Sequence, residues 1–185
     1  MNKPVNPVET NDNLQEQAMQ RSNTDNAPRS AIHQTLYSAD TFVQHDYLAG
    51  KALPDIARPQ EGQINWLHFV GINDAALLKH ALEPYGIHEL VIEDILSRKQ
   101  RPKIEDYGSY VFTAAQVYHY TTTGKLHSDQ VYVIIGKDFV LSFQQKPLGL
   151  FSQLRRQMHE NPHNILNKNT AFLAYCLLDR IVDDY

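Results

Sequence analysis

The sequence predicts an α/β (α+β) domain in which a mixed, largely antiparallel sheet is sandwiched between helices. Runs rich in β-branched and aromatic residues come in pairs joined by short turns, as in hairpins rather than βαβ crossovers. Segments of helical period fall between and after these pairs, giving the order strands, helices, strands, helices. The chain has 185 residues, 42% hydrophobic and 21% charged, enough for one domain with a real core or two small ones. That composition excludes chain-wide disorder, collagen-like repeats and a disulfide scaffold.

Residues 1–30 are rich in Asn, Gln, Pro and Ser and contain no aromatic, the first being Tyr37. Such a segment buries too little surface to offset its ordering entropy, so a flexible tail is expected. From Ala31, IHQTLYSADTFVQHDYL places strand formers around a Ser-Ala-Asp turn and predicts a hairpin. PDIARPQEGQ reads as a loop, and INWLHFVG as a short, largely buried strand ending at Gly71. Asn73 or Asp74 can cap the next helix, where Leu77, Leu78, Ala81 and Leu82 follow helical spacing and Tyr85-Gly86 mark the end.

A second helix is expected over HELVIEDILS, residues 88–97. Pro102 then imposes extended backbone around Arg101. SYVFTAAQVYHY is a long strand, TTTGK a turn, and LHSDQVYVIIG with DFVLSFQ a second hairpin around Gly136 and Lys137. Pro147 can open a helix that continues to Pro162, and a last helix runs from about Thr170 to the end of the chain.

The formal charge is −4, from 17 Lys+Arg against 21 Asp+Glu, so broad phosphate-backbone binding and a nucleic-acid partner are not expected. The longest apolar run, Val131–Ile135, is far short of the roughly 20 residues of a membrane-spanning helix. Cys176 is the single cysteine and suits a reducing cytosol, and the N-terminus lacks the apolar core of a signal peptide. There is no GxGxxG, no Walker-type GKS or GKT, no GxSxG and no HExxH. The nine histidines are scattered along the chain, and Pro162 separates the nearest pair, His159 and His163. Surface or packing roles are their default reading. The run Arg98, Lys99, Arg101, Lys103 could bind an anion, but a solvated turn balancing nearby carboxylates is the plainer account.

Two carboxylate groups carry more. Within HELVIEDILS the apolar positions 90, 91, 92, 95 and 96 point around most of the helix, so a largely buried helix is expected. Glu93 and Asp94 are consecutive polar residues inside it, and a buried carboxylate is costly unless paired or metal-bound. Arg98, four residues after Asp94, and the helix dipole are the bland means of satisfying them. In the final helix, Leu173, Leu177, Leu178, Ile181, Val182 and Tyr185 make a broad apolar face. Asp179 and Asp183 lie four apart on the other side, where they repel each other and oppose the C-terminal dipole. That pattern is expected of a helix interrupted in its middle.

The strings GIHELVIEDILSRKQRPKIEDYGSYVF, HSDQVYVIIGKDFVLSFQ and AFLAYCLLDRIVDDY closely resemble the cytosolic part of the CorA family of divalent-cation channels. The resemblance runs from about Ile64 to Tyr185, is weaker over 31–63 and is absent from the tail. It implies a cytosolic α/β/α domain over 31–168, with 169–185 as the start of a long stalk helix leading to transmembrane segments and a Gly-Met-Asn pore motif that these residues do not include. It implies assembly as a homopentamer at the cytoplasmic face of the cell membrane, with regulatory Mg²⁺ bound between protomers. Matched residue by residue, Asp94 is the main candidate ligand, Glu93 the secondary one, and Asp179 a further acid near the secondary site. The remaining stalk ligands lie beyond Tyr185, so the site is expected to be half present and the 185 residues incapable of conduction. A zinc or other divalent-cation transporter of the same family is the alternative. A carboxylate-based hydrolase is a distant one, since nothing in the sequence calls for two acids at catalytic separation.

Overall fold

A computed structural model describes residues 31–48, 55–71, 74–98, 100–120 and 123–183. The expected tail, together with Asn73, Lys99, Asp184 and Tyr185, lies outside them. The first hairpin forms as expected, with β1 (Ala31–Tyr37) antiparallel to β2 (Phe42–Leu48). Its turn is closed by the Ser38 amide donating to the Thr41 carbonyl at 3.0 Å and the Ser38 hydroxyl donating to Asp40 Oδ1 at 2.8 Å. β3 (Ile64–Val70) runs antiparallel on the other side of β1.

Helix α1 (Ala75–Leu82) begins at Asp74, whose Oδ1 accepts from the amides of Ala76 and Leu77 at 2.9 and 3.0 Å. A 3₁₀ turn over Glu83–Tyr85 then ends at Gly86 in the left-handed region, φ 62°. Helix α2 (Glu89–Ser97) follows, with His88 as N-cap, its Nδ1 accepting from the Leu90 amide at 3.2 Å. β4 (Lys103–Asp106), β5 (Tyr110–Tyr120), β6 (Leu126–Gly136) and β7 (Phe139–Gln144) come next. Helices α3 (Ser152–Glu160) and α4 (Thr170–Asp183) complete the described chain.

The seven strands form one sheet in the order β2-β1-β3-β7-β6-β5-β4. Every pairing is antiparallel except the central one between β3 and β7. This is the mixed, largely antiparallel sheet the sequence predicts. Successive side chains on a strand point to opposite faces, and here both faces are covered. Ile32, Leu67, Phe69, Phe112, Tyr132, Ile134, Leu141 and Phe143 pack with α1 and α2 on one side. Tyr37, Trp66, Val131, Val133 and Val140 pack with α3 and α4 on the other. The unbroken apolar run from Val131 therefore fits a strand buried on both faces.

The structure differs from expectation in four places. α3 starts at Ser152, not at Pro147, because the chain passes through Gly149 at φ 74° before it can coil. β4 is an unexpected edge strand whose only apolar residue, Ile104, is 72% exposed. α2 is less buried than its composition implies: Val91, Ile92 and Ile95 are in the core, but Leu90 is 58% exposed. On α4, Thr170, Leu173, Ala174, Leu177 and Ile181 are buried while Val182 is exposed, so the buried face is narrower than the apolar one. Among the described residues no helix is long and apolar enough to cross a membrane.

Candidate functional site

Asp94 lies near the end of α2, half-buried, and its two carboxylate oxygens have different partners. Oδ1 accepts from Gln100 Nε2 at 2.7 Å, and Oδ2 accepts from Lys103 Nζ at 2.8 Å. Pro102 and the extended chain after it bring this about: β4 runs back beneath the helix end and presents Lys103. Lys103 Nζ also donates to both oxygens of Glu105 at 3.0 Å, and it sits 5.4 Å from the centre of the Phe112 ring. Residues 103 and 105 alternate onto the same face of β4, so one ammonium bridges two carboxylates. Hydrogen bonding to Asp94 holds the Lys103 ammonium above the usual lysine range, working against partial desolvation.

The surrounding contacts hold Arg98 and Gln100 in defined positions. Arg98 closes α2 in the left-handed region at φ 56°. The Gln100 amide donates to Gln130 Oε1 at 3.2 Å, and the Gln130 side-chain amide donates back to the Gln100 carbonyl. Tyr132 donates its hydroxyl to Gln130 Oε1 at 2.5 Å and to the Asp94 carbonyl at 3.3 Å. Burial, reinforced by the Asp94 charge, pushes the Tyr132 phenol up to about 12, so it remains a donor throughout the physiological range.

Of the three acids singled out in the sequence, the structure brings none together. Glu93 is adjacent to Asp94 in sequence but exposed, one step around the helix. Asp179 is exposed on α4, in the helical layer on the opposite face of the sheet. Among the described residues, no group of three or more His, Cys, Asp or Glu side chains could hold a metal ion. The Asp94 carboxylate pairs with Lys103, which the sequence offers only as one of a cationic run, and Glu105 is the site residue that sequence reasoning missed. The local cue to both was the extended backbone that Pro102 favours in this segment. The plainer account of the cationic run, charges balancing neighbouring carboxylates, holds for Lys103.

Comparison with known proteins agrees with this fold. Residues 61–185 match the family model for the CorA-like Mg²⁺ transporter protein. Over 121 residues the chain is 38% identical to the cobalt/magnesium transport protein CorA of Thermotoga maritima, covering 65% of this chain and 34% of that one. Over 122 residues it is 30% identical to the putative metal ion transporter YfjQ of Bacillus subtilis, covering 65% and 36%. The chain thus spans about a third of the length of these curated relatives. In fold it is similar to the complete CorA magnesium transporter of Methanocaldococcus jannaschii, with TM-score 0.65 at 12% identity over 83% of this chain and 45% of that one. It is similar also to the ZntB cytoplasmic domain of Vibrio parahaemolyticus, with TM-score 0.56 at 10% identity over 83% and 59%. With two thirds of its length matched by the family model, and the sheet and helical layers in place, this chain belongs to the CorA-like Mg²⁺ transporter family.

Proposed function

We propose that this chain is the cytosolic regulatory domain of a CorA-like divalent-cation channel, sensing intracellular Mg²⁺ through carboxylates that meet across protomer boundaries. The observation that carries the reading is the Asp94–Lys103–Glu105 cluster of a family member. Two carboxylates, Asp94 near the end of a surface helix and Glu105 on the edge strand β4, already share one cation, and Asp94 is only half-buried. Asp94 is the main ligand, Glu93 beside it the secondary one, and Asp179 serves the secondary site from the α4 layer of a neighbour. α4 is the start of the stalk, and the working assembly is a homopentamer at the cytoplasmic face of the cell membrane.

The chemistry fits a sensor. Mg²⁺ takes oxygen ligands, dehydrates reluctantly and keeps several waters, so an open boundary with two or three acids suits it. Without the ion, facing carboxylates repel and protomers separate; with it, they are bridged and the closed state gains. A sensor half-saturates near the concentration it reports, which for a roughly millimolar ion is about −4 kcal/mol per site. Several such sites acting on one closed–open equilibrium multiply the population shift. Carboxylate donors also favour Mg²⁺ over the zinc alternative, which selects nitrogen and sulfur ligands.

The test is Mg²⁺-dependent protease protection of the full-length pentamer. Asp94→Ala is expected to raise the Mg²⁺ midpoint about tenfold or more, equivalent to about 1.4 kcal/mol. Lys103→Met, which keeps the apolar stem over Phe112 but removes the competing cation, is expected to lower it. Unchanged midpoints in both variants would refute the ligand role of Asp94.

A further inference from the structure

The β5–β6 register sets His119 directly opposite His127. Opposed residues of an antiparallel pair share a face, with Cβ atoms about 4.5–5.5 Å apart. The two imidazole centroids are 6.2 Å apart and the rings are inclined by 32°. Asp129, two residues along β6 and therefore on the same face, places Oδ2 3.7 Å from His119 Nε2. Its side chain is only 12% exposed, and Lys146 Nζ donates to it at 3.1 Å. The other ring nitrogen, His119 Nδ1, is buried and has no hydrogen-bond partner among the described residues.

The 3.7 Å contact with Asp129 is electrostatic, beyond hydrogen-bond range, so neither ring nitrogen of His119 has a hydrogen-bond partner among the described residues. In the tautomer protonated at Nε2, on the Asp129 side, Nδ1 carries a bare lone pair beside a second imidazole. A buried polar atom without a partner costs about 1–3 kcal/mol, so packing alone is a poor account of it. A metal-ligating histidine almost always gives its other ring N–H to a carboxylate or carbonyl, which orients the ring and raises its basicity. Asp129 lies on the Nε2 side of His119, 3.7 Å away, where a carboxylate orients the ring electrostatically.

We propose that His119, through Nδ1, and His127 form a two-imidazole clamp for a borderline-soft transition-metal cation such as Zn²⁺. Asp129 is the positioning residue beside His119, and water completes the coordination shell from the exposed His127 side. With two protein ligands the clamp binds more weakly than a closed four-ligand structural zinc site. It is separate from the Asp94 cluster: Val117 and Val131, which flank it on the same strands, pack with the α3/α4 layer, and Asp94 belongs to the α1/α2 layer. The two differ in chemistry as well, since imidazole suits zinc-like ions and carboxylate with water suits Mg²⁺.

The experiment titrates Zn²⁺ into the 185-residue chain, free of any affinity tag, and follows the histidine ring resonances by NMR. One equivalent of Zn²⁺ is expected to shift His119 and His127, and millimolar Mg²⁺ leaves those shifts in place. His127→Gln, an exposed substitution that leaves the fold intact, lowers the affinity about tenfold or more. Asp129→Asn weakens binding while His127 still shifts, as expected of an orienting carboxylate. Absence of Zn²⁺ binding, or undiminished affinity in His127→Gln, would overturn the proposal. So would shifts confined to other histidines or to Cys176.

Discussion

At the residue scale, the buried polar groups on the α3/α4 face show how a core polar cluster sets an acid limit on stability. Ser142 Oγ accepts from Trp66 Nε1 and pairs with His68 Nδ1, both at 2.9 Å. His68 packs edge-on against Phe151 and stacks on His33, which pairs with Asp46 at 2.7 Å. Burial, helped by the nearby His33 and Arg155 charges, pushes the His68 imidazole down from 6.5 to about 3. The unfolded chain therefore binds one more proton than the folded chain between those values, and stability falls as pH drops below about 6.5. The slope is about 1.4 kcal/mol per pH unit, or roughly 2 kcal/mol lost by pH 5. Chemical denaturation at pH 7 and pH 5 measures it, and His68→Phe is expected to abolish most of the difference. An equal loss in the variant would reject His68 as the source. None of this was legible in the sequence, where His68 was one histidine among nine. Asp94 was legible, because an acid inside an apolar helical pattern must be accounted for. Its partners were not, because Gln100 lies in irregular chain after α2 and Lys103 arrives from a strand that charged residues conceal.

At the scale of elements, alternation and turn chemistry identified both long hairpins, and Asp74 marked the start of α1 as a capping residue should. β4 escaped because an edge strand needs no apolar alternation. Charged side chains are what keep such an edge from pairing further. The start of α3 escaped because Pro147 fits the first turn of a helix, whereas the positive φ of Gly149 depends on how the chain leaves β7. The β6–β7 turn gives the sharpest prediction at this scale. A Cβ at Gly136 would lie 2.3–2.7 Å from three atoms of the Phe139 ring, which packs with the α1/α2 core. Gly136→Ala is expected to lower stability by about 1–3 kcal/mol, the usual range for overpacking. Thermal unfolding checks this, and a combined Gly136→Ala, Phe139→Leu variant should recover part of the loss.

At the scale of the molecule, the sheet divides the candidate ligands. Asp94 and Glu93 belong to the α1/α2 layer and Asp179 to the α3/α4 layer, so no single chain can join them. The proposed function therefore places the two groups on different copies, with one chain's α2 set against another's α4. The sequence could show helical faces and acids but not which layer each helix joins, since β3 and β7 pair across a long stretch of intervening chain. The most direct measurement is the anomalous density of Mn²⁺, standing in for Mg²⁺, in crystals of the assembled full-length protein. An ion within coordination distance of the Asp94 carboxylate, with Lys103 displaced from it and a neighbouring protomer's acid on the far side, is the predicted result. Density absent from Asp94, with the Lys103 ion pair intact in the Mn²⁺-loaded assembly, would contradict the account.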